Sequence, residues 1–149
     1  MIKNFLEKNK DIGILVLRLG VGIAYTFVYG LPKVEGGSEF WINLGTAMSN
    51  LGINFTPTFW GFMATLSEFG GGILIMIGLF TRTASAFLAF TMFVASLHHL
   101  SIQDQWYNVI HPVKMISVFI ALIFLGAGRF SIDEVISSRK QNSTNKKNN

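Results

Sequence analysis

The sequence predicts an all-α integral membrane protein, a four-helix bundle with a short interfacial helix in its first outer loop. Half of the 149 residues are apolar and only 13% carry a charge, whereas charged residues form about a quarter of ordinary soluble domains. The charges concentrate near the two ends of the chain, and four apolar stretches of membrane-crossing length fill the middle. We therefore interpret residues 1–149 as one four-span transmembrane domain with lipid as its main solvent.

The boundaries of the spans follow from apolar length and from residues that begin or end helices. About 20 apolar residues in a helix cross a hydrocarbon core of about 30 Å. Asp11 can cap the first span and Pro32 ends it, while Pro112 suits the first turn of the last span. Thr81-Arg82 leaves only a tight turn between the second and third spans. The predicted spans are residues 12–31, 58–80, 83–100 and 112–128.

Two segments outside the spans also carry structural signals. Ser38 can cap a short helix within the connection 33–57, and the apolar residues of this helix share one face. That face consists of Phe40, Trp41, Leu44, Ala47, Met48 and Leu51. A disordered loop with accidental spacing is the alternative. The tail 134–149, rich in Asn and Lys, is predicted to be disordered.

The orientation follows from basic residues outside the spans, which concentrate on the cytoplasmic side of membrane proteins. One side of the predicted topology holds Lys3, Lys8, Lys10, Arg82, Arg129, Arg139, Lys140, Lys146 and Lys147. The other side holds only Lys33. The sequence therefore predicts a multi-pass protein of the bacterial cytoplasmic (inner) membrane, with the N-terminal segment 1–11 and the tail both cytoplasmic. This distribution explains the net charge of +4 without nucleic-acid binding.

Cysteine is absent from the chain. This excludes a disulfide framework, thiolate metal ligands and thiol redox chemistry of the chain's own. Any electron transfer would therefore use a bound cofactor or a partner protein.

Three charged residues lie inside the predicted spans, namely Arg18, Glu68 and Lys114. An ionisable group there costs a few kcal/mol unless it has a partner or a water-filled cavity. A long guanidinium side chain can span the difference in depth between Arg18 and Glu68 at about 1.5 Å per residue, so we expect an intramembrane ion pair. This pair either only holds two helices together or leaves Glu68 as a proton carrier or ligand contact.

Each of these charges lies on a helical stripe of small or polar residues, which we expect to face the bundle interior. The stripes of the first two spans are Arg18, Gly22, Tyr25, Tyr29 and Gly61, Thr65, Glu68, Gly72. Those of the last two spans are Ala84, Leu88, Thr91, Ala95, His98 and Lys114, Ser117, Ala121. The sequence therefore predicts a polar core through the bundle.

A second set of polar residues gathers in the outer half of the predicted bundle. The candidates for a quinone or ligand pocket are Tyr25, Tyr29, Glu68, His98, His99, His111 and Lys114. Tyrosine, imidazole and ammonium groups can hydrogen-bond the carbonyl oxygens of a quinone and move its protons. No metal site is predicted, because the adjacent His98 and His99 point about 100° apart on a helix. A packed polar core without ligand, and a haem held by one histidine, are the alternatives.

Short segments spread over residues 13–133 carry a resemblance to a known family. They are Leu17-Arg18-Leu19, Tyr29-Gly30-Leu31-Pro32-Lys33, Glu68-Phe69-Gly70-Gly71, Gly78-Leu79-Phe80-Thr81-Arg82 and Gly126-Ala127-Gly128-Arg129-Phe130-Ser131-Ile132-Asp133. In this order and spacing they resemble the DoxX family of small four-helix bacterial membrane proteins. The resemblance implies a membrane subunit associated with redox enzymes, similar to the subunits that pass electrons from thiosulfate to quinone. Tyr29 stands where the family commonly has histidine.

The polar residues and the resemblance together favour a membrane subunit or anchor of a redox complex, with quinone as its candidate cofactor. Whether the chain itself is catalytic stays open. The alternatives are a non-catalytic membrane scaffold and a small proton-coupled transporter, the latter suggested by Glu68 and by the helix-weakening Gly70-Gly71-Gly72. The expected partners are the lipid bilayer, redox-enzyme subunits and a second copy of the chain.

Overall fold

A computed structural model describes the backbone of residues 2–147 and the side-chain environment of residues 9–141. This part of the chain is helical without strands, and four of its helices are long and apolar enough to cross a membrane, which confirms the predicted fold class. The helices are α1 (Ile2–Ile23), α2 (Leu31–Glu35), α3 (Gly37–Gly45), α4 (Pro57–Ile77), α5 (Thr81–Ser101), α6 (Trp106–Leu125) and α7 (Ile132–Lys147). A π-helical segment (Ala24–Gly30) follows α1, and a 3₁₀ segment (Thr46–Leu51) follows α3.

The first span is longer than the sequence predicts. It continues through the π segment into α2, so that Asn9–Glu35 forms one apolar helix and Pro32 does not end it. A proline ring normally clashes with the carbonyl four residues earlier, and the wider π turn just before Pro32 relieves that clash. Asp11 lies within α1 instead of capping it, and its Oδ1 accepts a hydrogen bond from the Arg129 N–H at 3.1 Å.

The other span boundaries differ by a few residues. The turn between α4 and α5 is Gly78–Phe80, and Thr81-Arg82 already belongs to α5. Gly78 ends α4 in the left-handed conformation (φ +73°) while the Leu79 N–H bonds back to the Leu74 carbonyl, the hydrogen-bond pattern of a Schellman motif. Helix α6 begins at Trp106, so Pro112 lies in its second turn and not at its start.

The predicted helix in the first long connection is present as α3 and the 3₁₀ segment, and it packs directly against α4. Gly36, not Ser38, precedes its first residue. A Cβ atom at Gly45 would collide with the Pro57 carbonyl, and one at Gly61 would collide with the Trp41 carbonyl. Of the predicted apolar face, Ala47 and Met48 are buried, Trp41 and Leu44 are half-buried, and Phe40 and Leu51 are exposed.

The interior stripes are correct for the first two spans and wrong for the last. Arg18, Gly22 and Tyr25 are buried and Tyr29 is half-buried, and the predicted stripe on α4 is buried throughout. On α5, Ala84 and Leu88 are buried, whereas Thr91, Ala95 and His98 are half-buried. On α6, Lys114, Ser117 and Ala121 are exposed. Phe119 and Leu122 are buried in their place, because large apolar side chains fill the core better than a small polar stripe does.

The tail is helical where the sequence predicts disorder. Helix α7 runs from Ile132 to Lys147, and residues 148–149 lie outside the described part. Ser131 Oγ accepts the Glu134 N–H at 3.2 Å, and Asp133 and Glu134 place negative charge in the first turn. A hydroxyl cap and acidic residues at this end of a helix both stabilise it.

The bundle has two ends that are used below. The terminal end contains the Gly78–Phe80 turn and residues 126–133. The loop end contains α3, the 3₁₀ segment and residues 98–111.

Candidate functional site

Arg18 is almost completely buried at the terminal end, with 1% of its surface exposed. Its Nε donates to the Ile75 carbonyl at 2.9 Å and its Nη2 to the Met76 carbonyl at 3.2 Å, both in the last turn of α4. Its Nη1 donates to the carbonyls of Ala127 and Phe130. A guanidinium has five N–H donors, so a single cation satisfies the free carbonyls of a helix end and of a loop together.

The predicted ion pair between Arg18 and Glu68 is wrong. The guanidinium bonds to backbone carbonyls, while the Glu68 carboxylate bonds to Lys33. Glu68 lies about 10 Å along α4 from Ile75 at the usual helical rise, nearer the loop end. The carbonyl end of α4 carries partial negative charge, and it takes the cation that the sequence assigned to Glu68.

Asp133 ties the other side of the same region together. Its Oδ1 accepts the Phe80 N–H at 2.9 Å and its Oδ2 accepts the Thr81 N–H at 3.2 Å, where α5 begins. Its own N–H donates to the Gly78 carbonyl at 3.0 Å. A Cβ at Gly78 would collide with the Arg18 guanidinium. We call Arg18, Gly78, Ala127, Phe130 and Asp133 the Arg18 cluster.

Glu68 forms a buried ion pair with Lys33. The Lys33 Nζ lies 2.5 Å from the Glu68 Oε2, and the exposed fractions of the two side chains are 19% and 3%. Sequence reasoning missed Lys33 because it ended the first span at Pro32 and assigned the lysine to a loop. A buried carboxylate that needs a cation, with a lysine one residue beyond a proline, was the signal available.

A cavity of about 770 Å³ opens beside this ion pair, between α4 and α5 and under the short helix of the loop end. We call it the ion-pair cavity. Its polar lining residues include Lys33, Glu68, His98, His99, Asn43 and Trp60. The Trp60 indole Nε1 is buried and lacks a hydrogen-bond partner among the described residues. The remaining walls are predominantly apolar, with Phe59, Met63, Phe87, Phe90 and Val94 among them.

The predicted pocket is divided between two places. Tyr25, Tyr29 and His111 lie outside the lining described for the ion-pair cavity. The Tyr29 hydroxyl and His111 Nε2 are 3.0 Å apart, and the Tyr25 hydroxyl donates to Met92 Sδ at 3.1 Å. Both tyrosine rings stack together with centroids 5.1 Å apart, and the Tyr25 ring meets the Phe119 ring edge-on at 5.0 Å.

The tyrosines therefore pack into the core instead of opening into a pocket. Lys114 belongs to neither place, since its side chain is exposed on the outer face of α6. Of the seven predicted pocket residues, the structure brings Glu68, His98 and His99 to the ion-pair cavity.

His99 also contacts the α5–α6 connection. Its Nδ1 lies 2.7 Å from Asp104 Oδ2, and Asp104 Oδ1 accepts hydrogen bonds from Asn108 Nδ2 at 2.9 Å and from the Gln105 N–H at 2.7 Å. Hydrogen bonds from Asn108, His99 and Gln105 lower the pKa of the Asp104 carboxyl. Across the described residues, no three His, Cys, Asp or Glu side chains are grouped to hold a metal ion.

Comparison with known proteins places the chain among bacterial membrane proteins. It is 30% identical over 138 residues to the inner membrane protein YqjF of Escherichia coli (strain K12), covering 90% of this chain and 99% of that protein. It is 32% identical over 90 residues to the putative oxidoreductase CatD of Bacillus subtilis (strain 168), covering 58% of this chain and 59% of that protein. No solved structure matches.

The family comparison agrees with the resemblance carried by the short segments. The DoxX family model matches residues 13–100, which include the first three spans and the residues of the buried ion pair. This match covers more than half of the chain, and a relative of nearly the same length is similar throughout. The chain therefore belongs to the DoxX family.

Proposed function

We propose that this DoxX-family chain is a membrane subunit or anchor of a redox complex and that it binds a quinone in the ion-pair cavity. The observation that carries the proposal is a buried ion pair, Lys33–Glu68, on the wall of a large apolar cavity that also contains His98. Apolar cavities with a few polar groups are typical small-molecule sites. The printed name of the Bacillus subtilis relative, putative oxidoreductase, supports redox chemistry.

The polar groups of the cavity suit a quinone headgroup. Its two carbonyl oxygens need donors, and Lys33, His98 and Trp60 each carry N–H groups. Glu68 holds the Lys33 ammonium group and offers a carboxylate to a quinol hydroxyl. Reduction of a quinone takes up two electrons and two protons; in this proposal the partner subunit supplies the electrons, and the ionisable cavity residues pass protons.

Quinone titration of the protein in lipid nanodiscs tests this function. Trp60 lines the cavity, whereas Trp106 is exposed, so a Trp106→Phe background makes fluorescence quenching report on the cavity. We expect His98→Ala and Glu68→Gln to weaken binding about tenfold, equivalent to about 1.4 kcal/mol. Lys114→Ala is the matched control because its side chain faces away from the bundle. Equal binding by all variants would remove the cavity as the quinone site.

Purification from the native host separates this function from its alternatives. A redox partner together with extractable quinone supports the proposal. A stoichiometric partner without quinone supports a scaffold, and proton-coupled solute uptake by vesicles containing only this chain supports a transporter.

We further propose that the loop end faces outward and that both termini are cytoplasmic, as the distribution of basic residues favours. Alkaline phosphatase fused at Asn50 should then be active, and the same enzyme fused at Asn149 inactive. The reverse pattern would invert the orientation.

A further inference from the structure

The ion-pair cavity extends well beyond its polar residues. Thr91 Oγ1 donates to Ser67 Oγ at 3.0 Å, which places Thr91 of α5 at the level of Ser67 and Glu68 of α4. Below this level the cavity continues between the two helices as far as Phe80 and Thr83 at the terminal end. We call this part the lower groove.

The lower groove is long and lacks ionisable groups. From Glu68 to Ile77, the last residue of α4, the helix rises by about 14 Å at about 1.5 Å per residue. The lining residues over this length are glycine, alanine, leucine, threonine and phenylalanine, as exemplified by Gly70, Leu74, Thr83 and Phe87. The cavity therefore has a polar part near the loop end and a narrow apolar extension, which is the shape of a headgroup attached to a chain.

We propose that the ligand of this cavity is a long-chain isoprenoid quinone whose tail lies in the lower groove, between α4 and α5. The inference rests on the proposed function, which requires only a headgroup site. It adds that the tail runs within the protein toward Phe80 and that the chain selects quinones by tail length.

The physical reason is packing, not transfer from water. Lipid chains are as apolar as the groove, so the hydrophobic effect does not distinguish a tail in the groove from a tail in the bilayer. An empty groove loses dispersion contacts along both helices, whereas a tail already attached to a bound headgroup fills it at a high effective concentration. The aromatic walls supply the contact area, and Gly70 keeps the groove open on the α4 side.

Substitution at Gly70 tests the groove without changing a polar residue. A Cβ at Gly70 meets only Leu66 of its own helix, at 3.5 Å, so Gly70→Leu fits locally and projects into the lower groove. Gly20→Leu is the matched control, because a Cβ at Gly20 has no neighbour within 4 Å and the residue is exposed on the first span. Both variants are titrated with a tail-less quinone and with a long-chain isoprenoid quinone in the same nanodiscs, so that partitioning into lipid cancels.

We expect Gly70→Leu to weaken the long-chain quinone about tenfold and to leave the tail-less quinone within about twofold of wild type, with Gly20→Leu unchanged for both. A Gly70→Leu protein that binds both quinones like wild type, or loses both equally, overturns the inference alone. Failure of wild type to bind either quinone overturns the proposed function as well.

A second measurement uses the wild-type chain and does not depend on the folding of a variant. A quinone with a photoreactive diazirine at the end of its isoprenoid tail is bound, illuminated and mapped by peptide mass spectrometry. We expect labelling of the segment that contains Phe80, Thr83 and Phe87. Labelling confined to outward residues such as Phe124 and Val16, both exposed, places the tail in lipid and overturns the inference.

Discussion

The Arg18 cluster and the ion-pair cavity each contain a buried charge, but they satisfy it differently. Arg18 is surrounded by backbone carbonyls that have fixed positions, and its guanidinium is bonded to two separate segments. The Glu68 carboxylate relies on one flexible lysine and lies beside open space. A charge held by the backbone stabilises a fold, whereas a charge held by one side chain beside a cavity can exchange its partner for a ligand.

The largest expected effect tests the stabilising half of this comparison. Arg18→Met leaves the carbonyls of Ile75, Ala127 and Phe130 without this donor in a buried site. Hydrogen bonds to charged groups are worth about 1.5–3 kcal/mol each, so we expect a loss of at least about 3 kcal/mol. Thermal unfolding in detergent measures it, with Arg82→Met, an exposed arginine, as the control. Similar midpoints for the two variants would refute the structural role of the cluster.

The ion pair sharpens the comparison because its effects on stability and on binding can be separated. Glu68→Gln should cost about 1–3 kcal/mol by leaving Lys33 poorly paired, more than Glu35→Gln at an exposed site. Adding Lys33→Met should recover part of that stability, because the unpaired cation is removed. Quinone affinity should not recover. If affinity and stability recover together, the pair serves only to hold the helices.

A smaller effect is expected at the other residue that holds the terminal end together. Asp133→Ala removes the acceptor for the Phe80 and Thr81 N–H groups at the start of α5. Loss of such a cap costs about 1 kcal/mol. The adjacent Glu134→Ala is the control, since its carboxylate is exposed. Unfolding midpoints that fall equally would show that the cap contributes nothing specific.

The smallest effect is a pH dependence at the loop end. The pKa of Asp104 is lowered by Asn108, His99 and Gln105, so its ionised form stabilises the folded state. This stability is fully present above the ordinary aspartate pKa of about 3.9 and is lost as the pH falls through the lowered folded value. The unfolding midpoint of wild type should therefore exceed that of Asp104→Asn at about pH 6, and the difference should shrink below about pH 4. A difference independent of pH would contradict this assignment.

The sequence was sufficient for the features that depend on solvent. Apolar length predicts four spans because lipid requires it, whatever the helices pack against. Burial of the stripes that contain Arg18 and Glu68 follows from the same requirement, since a lipid-facing charge is costly. Family membership was recognisable from segments such as Gly78–Arg82 because these segments form the turn and cluster at the terminal end.

The sequence was insufficient where the partner of a residue is decided by tertiary geometry. The carbonyls that hold Arg18 belong to the backbone and leave no mark in residue identity. Lys33 was misassigned because Pro32 ends most helices but not one with a widened turn before it. Lys114 was placed inside because its stripe is small and polar, yet Phe119 and Leu122 claim the interior face of α6.

The π segment at residues 24–30 has a consequence for insertions and deletions in this helix. Such a segment accommodates one extra residue, and here the Leu31 N–H reaches back five residues to the Thr26 carbonyl. Removing one residue within it restores a regular helix and keeps Arg18 and Lys33 in the same angular phase. Removing one from the regular helix, at Gly20 for example, turns one end by about 100° relative to the other. An alignment gap is therefore compatible with both buried charges only within this stretch of the first span.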